Sequence, residues 1–206
     1  MNLIDDVLQR RNRRRPRIRC RLDGPCGRLP ASATAGAYIT GAGGVDFAIF
    51  RILDAPRERV WQALTDPERL KEWLTPATFT MIAMNMDFRP GGFFHIGMQS
   101  GEGYKMWAKY VYQEIVPPER IVFINSFSNQ AGEITRHPIV PTWPRETRVM
   151  VKLEDEPGAK TRLSVRWTPH NATEAEQKAF DVSHVGMQAT WGVTFDQLVA
   201  YLARTA

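Results

Sequence analysis

Cysteine is almost missing from this chain. Its only two, Cys20 and Cys26, lie inside an arginine-rich stretch near the N-terminus, so the remainder has no thiol to oxidise, to attack a substrate or to hold a metal. A disulfide framework and cysteine catalysis are thereby excluded for it, and two isolated cysteines make a poor metal site. Histidine is scarce as well. The four present, His95, His137, His170 and His184, include no two at a helical or hairpin metal spacing, so neither a metal nor another cofactor is expected. No apolar run reaches the eighteen or more residues of a membrane-spanning helix; no membrane partner is expected, and the cytoplasm is the expected compartment. Gly91-Gly92 and the Gly101 and Gly103 turn fall between strand-like segments and do not open a helix, so they do not form a phosphate cradle. No paired carboxylates and no Ser-His-Asp order suggest hydrolytic chemistry, and no catalytic residue is assigned.

Charge is present but unevenly placed. The whole chain of 206 residues carries +5, while residues 1–44 hold nine Arg against three Asp and so account for +6; residues 45–206 are close to neutral, at about −1. The stretch RRNRRRPRIRCRLDGPCGR, followed by Pro, Ala, Ser, Thr and Gly, has little apolar periodicity with which to offset its ordering entropy. Arginine clusters bind nucleic acid by counterion release, but no aromatic residue is interleaved here, so no nucleic-acid partner is expected. Arg10-Arg11 lacks the apolar run of an export signal. Residues 1–44 are expected to be a disordered extension, one origin of which is a start codon assigned too early, and residues 45–206 a single domain.

That domain is organised around its end. Phe180, His184, Met187, Trp191, Phe195, Leu198 and Leu202 recur at steps of three and four, the stripe of an amphipathic helix, and predict one helix over Glu174 to Arg204. Thr173 with Glu176 three residues on predicts a capping box at its start. At about 1.5 Å per residue it runs about 45 Å, which requires a partner surface along most of its length. Gly186 and Gly192 inside it cost about 1 kcal/mol each relative to alanine and suggest a close approach or a cavity.

Upstream, Val45 to Leu53 reads as a strand, and Pro56 and Asp66-Pro67 open two short helices with Val60, Trp61 and Leu64, then Leu70, Trp73 and Leu74, on their inner faces. From Thr78 to Trp167 the text is strands and turns: Phe79 to Phe88, Phe93 to Gln99, Tyr104 to Val116, Ile121 to Phe127, then a loop from Ser128 to about Glu146, and a hairpin of Arg148 to Glu154 with Thr161 to Trp167. Alternation turns Phe94, Ile96 and Met98 inward, with Val149, Val151, Leu153, Leu163, Val165 and Trp167, and leaves His95 facing solvent. The fold class is α+β: a curved antiparallel sheet of about seven strands around a terminal helix, with two short helices after the first strand, leaving room for a pocket where sheet and helix part.

A dispersed set of motifs carries a resemblance. Ala55-Pro56 with Val60-Trp61, Leu64-Thr65-Asp66-Pro67-Glu68 and Trp73 come first. Asp87-Phe88-Arg89-Pro90-Gly91-Gly92 and Glu114-Ile115-Val116-Pro117-Pro118-Glu119-Arg120 follow, then Arg136-His137-Pro138, Trp143-Pro144, Asn171-Ala172-Thr173-Glu174 and Trp191-Gly192 with Asp196-Gln197-Leu198. In this order they resemble the START-like, helix-grip (SRPBCC) superfamily, in particular bacterial homologues of the C-terminal domain of the heat-shock protein 90 ATPase activator. Residues 1–44 have no counterpart in it. The resemblance implies a hydrophobic cavity between sheet and C-terminal helix. It does not choose among the lipid carriers, hormone receptors, polyketide cyclases and co-chaperone that share the fold.

Three functions are carried forward. The first is binding of a hydrophobic or aromatic small molecule in a cavity lined by Trp73, Phe94, Met98, Phe123, Trp143, His184, Met187 and Trp191. The second is a cyclase or aromatase-like enzyme using the same cavity, which needs a titratable group inside it. The third is a stress-related co-chaperone or interaction module, ranked lowest because only the arginine-rich extension stands where the activator has another domain; a chaperone partner is therefore not expected, and a homodimer is left open. His184 has two readings, a core imidazole or a pocket group that binds or protonates a ligand carbonyl. The loop around His137 and Trp143 also has two, a lid or a segment that Trp143 anchors to the core. Asp87 and Arg89 are expected to brace their turn, and Glu114 to be structural.

Overall fold

A computed structural model describes residues 39–41 and 44–205, with side chains from residue 46. These all lie within one unit, Thr34–Ala206. The chain order is β1 (Ile39–Gly41), β2 (Gly44–Leu53), α1 (Arg57–Thr65), α2 (Pro67–Trp73), β3 (Phe79–Met86), β4 (Phe93–Ser100), β5 (Lys105–Val116), β6 (Arg120–Ser128), β7 (Glu146–Glu156), β8 (Lys160–His170), α3 (Glu174–Val182) and α4 (His184–Arg204). Seven long strands and the three-residue β1 form one antiparallel sheet in the order β1-β2-β8-β7-β6-β5-β4-β3. This is the α+β helix-grip arrangement. The short β1, paired with β2 from Ile39↔Asp46 to Gly41↔Gly44, falls in the stretch that the sequence assigns to the extension. The rest of that expectation, disorder over residues 1–38, lies outside the described residues.

From β3 to β8 the sheet is a meander, each strand pairing with the next in sequence. The single long connection brings β2 against β8, with Phe47 opposite Trp167 and Leu53 opposite Thr161. Alternation sets the inward face. Phe47, Ile49 and Leu53 of β2, Phe94, Ile96 and Met98 of β4, and Val149, Leu153, Leu163, Val165 and Trp167 of the last hairpin are buried together with Val60, Trp73, Phe180, Phe195, Leu198 and Leu202 from the helices. The same alternation buries Arg51, which is 6% exposed; it reaches across to Asp196 of α4 at 2.7 Å and ties the helix to β2.

The helix boundaries follow their chemistry. Asp66 accepts from the Glu68 and Arg69 amides and caps α2, with Pro67 in the first helical position. Thr173 and Glu176 make the reciprocal capping box at α3.

The predicted single helix from Glu174 to Arg204 is in fact two, broken at Ser183. The Ser183 amide bonds to the Phe180 carbonyl, a tightened last turn, and its hydroxyl donates to the Ala179 carbonyl four residues back. Back-bonding of this kind competes with the helix ladder and bends or ends it. The apolar stripe continues across the break, so periodicity alone does not reveal it.

Of the two expectations for the helix glycines, the close approach is corrected. A methyl group added at Gly186 or Gly192 would meet nothing within 4 Å, so neither marks a close approach. A glycine tight against backbone is Gly92, where an added methyl would lie 2.1 Å from the Asp87 carbonyl oxygen. Asp87 and Arg89 pair across this turn at 2.9 Å. Glu114 forms an ion pair with Arg120 before the next hairpin and is half exposed, a structural role.

Candidate functional site

The space between sheet and helices is a cavity of about 130 Å³. Five strands give it a floor: Phe94 from β4, Tyr110 and Tyr112 from β5, Ile121, Phe123 and Asn125 from β6, Val149 and Val151 from β7, and Leu163, Val165 and Trp167 from β8. Trp191 and Phe195 from the middle of α4 form the roof, and Leu64, Leu70, Trp73 and Leu74 from the α1–α2 pair close the end. Each strand contributes alternate residues because the side-chain period of a strand is two. Among these side chains no Asp, Glu, Lys, Arg or His takes part.

The wall is held by bonds made outside it. The Trp73 indole Nε1 donates to the Ala63 carbonyl at 2.9 Å, which fixes its ring between the two short helices. Gln197 Nε2 donates to the Thr75 carbonyl at 2.7 Å, and Arg204 pairs with Glu72 at 2.9 Å, so the C-terminal half of α4 is tied to α2 and the segment after it. Trp191 lies 4.5 Å from Trp167, centroid to centroid, and continues the aromatic lining from helix to sheet.

Polar atoms are few. Tyr110 stands opposite Asn125 in the β5–β6 register, with Tyr112 two residues along on the same face. Among the described residues, neither phenol hydroxyl nor the Asn125 amide makes a hydrogen bond to another protein group. Burial pushes the Tyr110 phenol up to about 12. Burial raises Tyr112 too, with the charge of an ionised Tyr110 adding to the effect. Both are therefore protonated at neutral pH and present hydroxyl donors.

Of the eight residues named from sequence, Trp73, Phe94, Phe123 and Trp191 border this cavity, and Met98, Trp143, His184 and Met187 do not. Met98 is packed into the core. His184 opens α4 and is 6% exposed, wedged against Phe47 at 5.5 Å and Phe180 at 5.1 Å. Burial lowers its pKa against a weaker opposing effect of Asp181, so it sits neutral in the core. Of its two readings the structure gives the core imidazole. Met187, one turn on, packs against the core from its margin.

The loop after β6 is an anchored segment. Trp143 lies 5.3 Å from Phe180, His137 stacks between Phe127 at 4.4 Å and Trp143 at 5.8 Å, and the His137 Nδ1 accepts from the Ile139 and Val140 amides. Arg136 adds an ion pair to Glu176 of the capping box. His95, expected in solvent, lies on the outer sheet face but is half covered, 5.1 Å from the Trp107 ring and 3.1 Å from Ser128 Oγ.

Tyr110, Tyr112 and Asn125 are not among the cavity residues expected from the sequence. The first two are one strand period apart and the third follows Phe123 by two, so alternation carries the signal that they share the inner face.

The model of the family described as activator of Hsp90 ATPase homolog 1-like protein matches residues 54–203. No curated protein matches the chain. Among solved structures, a protein of Nitrosomonas europaea is 26% identical with a TM-score of 0.60, over 78% of this chain and 96% of that one. One from Rhodobacter sphaeroides is 20% identical with a TM-score of 0.65, over 82% and 98%. The AHSA1 protein of Silicibacter pomeroyi is 19% identical with a TM-score of 0.61, over 78% and 99%. At such identities the last two show a shared fold. With well over half its length matched by the family model, the chain belongs to the activator of Hsp90 ATPase homolog 1-like family, on the helix-grip fold.

Proposed function

We propose that the protein binds a small hydrophobic or aromatic molecule in the cavity between the sheet and α4. The observation that carries this reading is an apolar, aromatic-lined space of about 130 Å³ with a few polar groups on one wall. A cavity of about 150 Å³ lined by Leu, Ile and Phe admits benzene, so this one suits a single ring, whereas drug-sized ligands need about 300 Å³ or more. Burying roughly 200 Å² of ring at about 25 cal/mol per Å² gives about 5 kcal/mol, which corresponds to a Kd of the order of 0.1–1 mM before ordering costs. Tighter binding requires polar contacts.

Native mass spectrometry of the gently purified chain, looking for excess mass lost on denaturation, tests the reading together with two variants. Trp191→Ala removes part of the roof and is expected to weaken ligand binding about tenfold or more, in line with loss of a buried aromatic contact. His184→Ala is expected to lower the melting temperature and leave affinity unchanged. A ligand indifferent to Trp191→Ala would reject the cavity as its site.

A cyclase-like catalyst is the second reading. It is supported by the two cavity tyrosines, but phenols held protonated at neutral pH suit the holding of a ligand oxygen better than the removal of a proton. A further reading takes up the family's name, action on a chaperone ATPase. Val182, Val185 and Val193, at 75%, 76% and 50% exposure along α3 and α4, would supply its contact face. Stimulation of an Hsp90 ATPase by the purified chain, lost on Val185→Lys, would favour it over the binding reading.

A further inference from the structure

We propose that the cavity selects an uncharged ligand that carries a hydrogen-bond acceptor, a carbonyl or amide oxygen on a single ring, with Tyr110 and Asn125 as the selecting residues and Tyr112 beside them. This rests on the binding reading above and adds the chemical class.

The argument starts from the β5–β6 register. Tyr110 and Asn125 are directly opposed, so their side chains emerge together on the cavity face, and Tyr112 follows one strand period away. Tyr112 is only 5% exposed and, like the other two, has no hydrogen-bond partner among the described residues. All three border the cavity. Phe94 and Phe123 pack on Tyr110, each 5.3 Å away, and Phe88 meets Tyr112 edge-on at 5.1 Å. Neighbours on that side leave the rings little freedom to swing away.

The donors are fixed by protonation. Both phenols keep their protons well above neutral pH, and the amide of Asn125 offers a donor and an acceptor. A buried donor left unmatched is costly, so an incoming oxygen that accepts from it is favoured over a hydrocarbon of the same shape. A carboxylate has the same shape as an amide but would enter a space that no cationic side chain lines, and it would lose its hydration without a counter-charge. The site thus discriminates on both polarity and charge.

The test titrates the full 206-residue chain with toluene, benzamide and sodium benzoate, read at the indole N–H resonances of Trp73, Trp167 and Trp191. Benzamide is expected to bind about five- to tenfold tighter than toluene, as one or two additional hydrogen bonds imply, and benzoate more weakly than either. Tyr110→Phe and Asn125→Leu are each expected to lower the ratio of benzamide to toluene affinity about threefold or more, retained toluene binding serving as the check that the cavity persists. Benzoate binding as tightly as benzamide, or benzamide indifferent to both substitutions, would overturn the selection while leaving the binding reading intact. If none of the three compounds moves the indole resonances, both are overturned.

Discussion

Glycines in this chain do opposite things at different places, and the difference is steric. At Gly92 an added methyl would press on the Asp87 carbonyl at 2.1 Å and the Arg89 carbonyl at 3.0 Å, both backbone atoms that cannot rotate aside. Gly92→Ala is therefore expected to destabilise the protein by roughly 3 kcal/mol, a fall in melting temperature of about 6–12 °C for a domain of this size. Gly186→Ala and Gly192→Ala meet open space, and the better helix propensity of alanine should raise the melting temperature by about 1–4 °C each. Differential scanning calorimetry of the three variants checks both signs. Burial also decides how His184 responds to acid. Its folded pKa, like that of His137, is lowered from 6.5, so below that value the unfolded chain takes up protons that the folded one does not. Stability should then fall as the pH drops below about 6.5 and level off once the folded imidazoles titrate as well. His184→Phe should flatten this drop in melting temperature between pH 7 and pH 5, whereas an unchanged slope would assign it to other groups.

At the level of elements, the capping box at α3 joins two parts of the molecule. Glu176 accepts from the Thr173 amide and pairs with Arg136 of the preceding loop, and these two contacts, in that order, hold its carboxyl below the usual range. Thr173→Ala is expected to cost about 1 kcal/mol, and Arg136→Ala to free the loop end while leaving the cap, so that the first lowers the melting temperature and the second chiefly raises amide exchange over residues 129–146. The box was legible in the sequence because its signal is local: two residue types three apart. The strands were legible for a like reason, since alternation at Phe94, Ile96 and Met98 needs no knowledge of the partner strand. The break at Ser183 was not. It depends on a hydroxyl bonding back to the Ala179 carbonyl, and a stripe running unbroken from Phe180 through His184 to Met187 conceals it. Placing His184, Met187 and Trp143 on the cavity failed for a related reason. Periodicity tells which residues face inward but not which part of the interior they reach, and α3, packed on β2 and β8, surrounds His184 with Phe180 and Phe47.

For the whole molecule, the strand order fixes more than shape. Strands β3 to β8 pair successively, and all their connections are short except the anchored loop between β6 and β7, but β2 finds β8 only across more than a hundred residues of intervening chain. Loop closure of that length is slow to be rewarded, and the local meander is expected to form first, with β2, the short helices and α4 docking afterwards. The cavity needs the short helices and α4, since Leu64, Trp73, Trp191 and Phe195 supply its roof and end. On that expectation the cavity is still unformed when the folding barrier is crossed. In stopped-flow measurements with and without toluene, the unfolding rate should fall with ligand concentration and the refolding rate should stay constant; acceleration of refolding would show the pocket assembled early. On this ordering, occupancy governs how long each folded copy survives and has no influence on how quickly a newly made chain reaches that state.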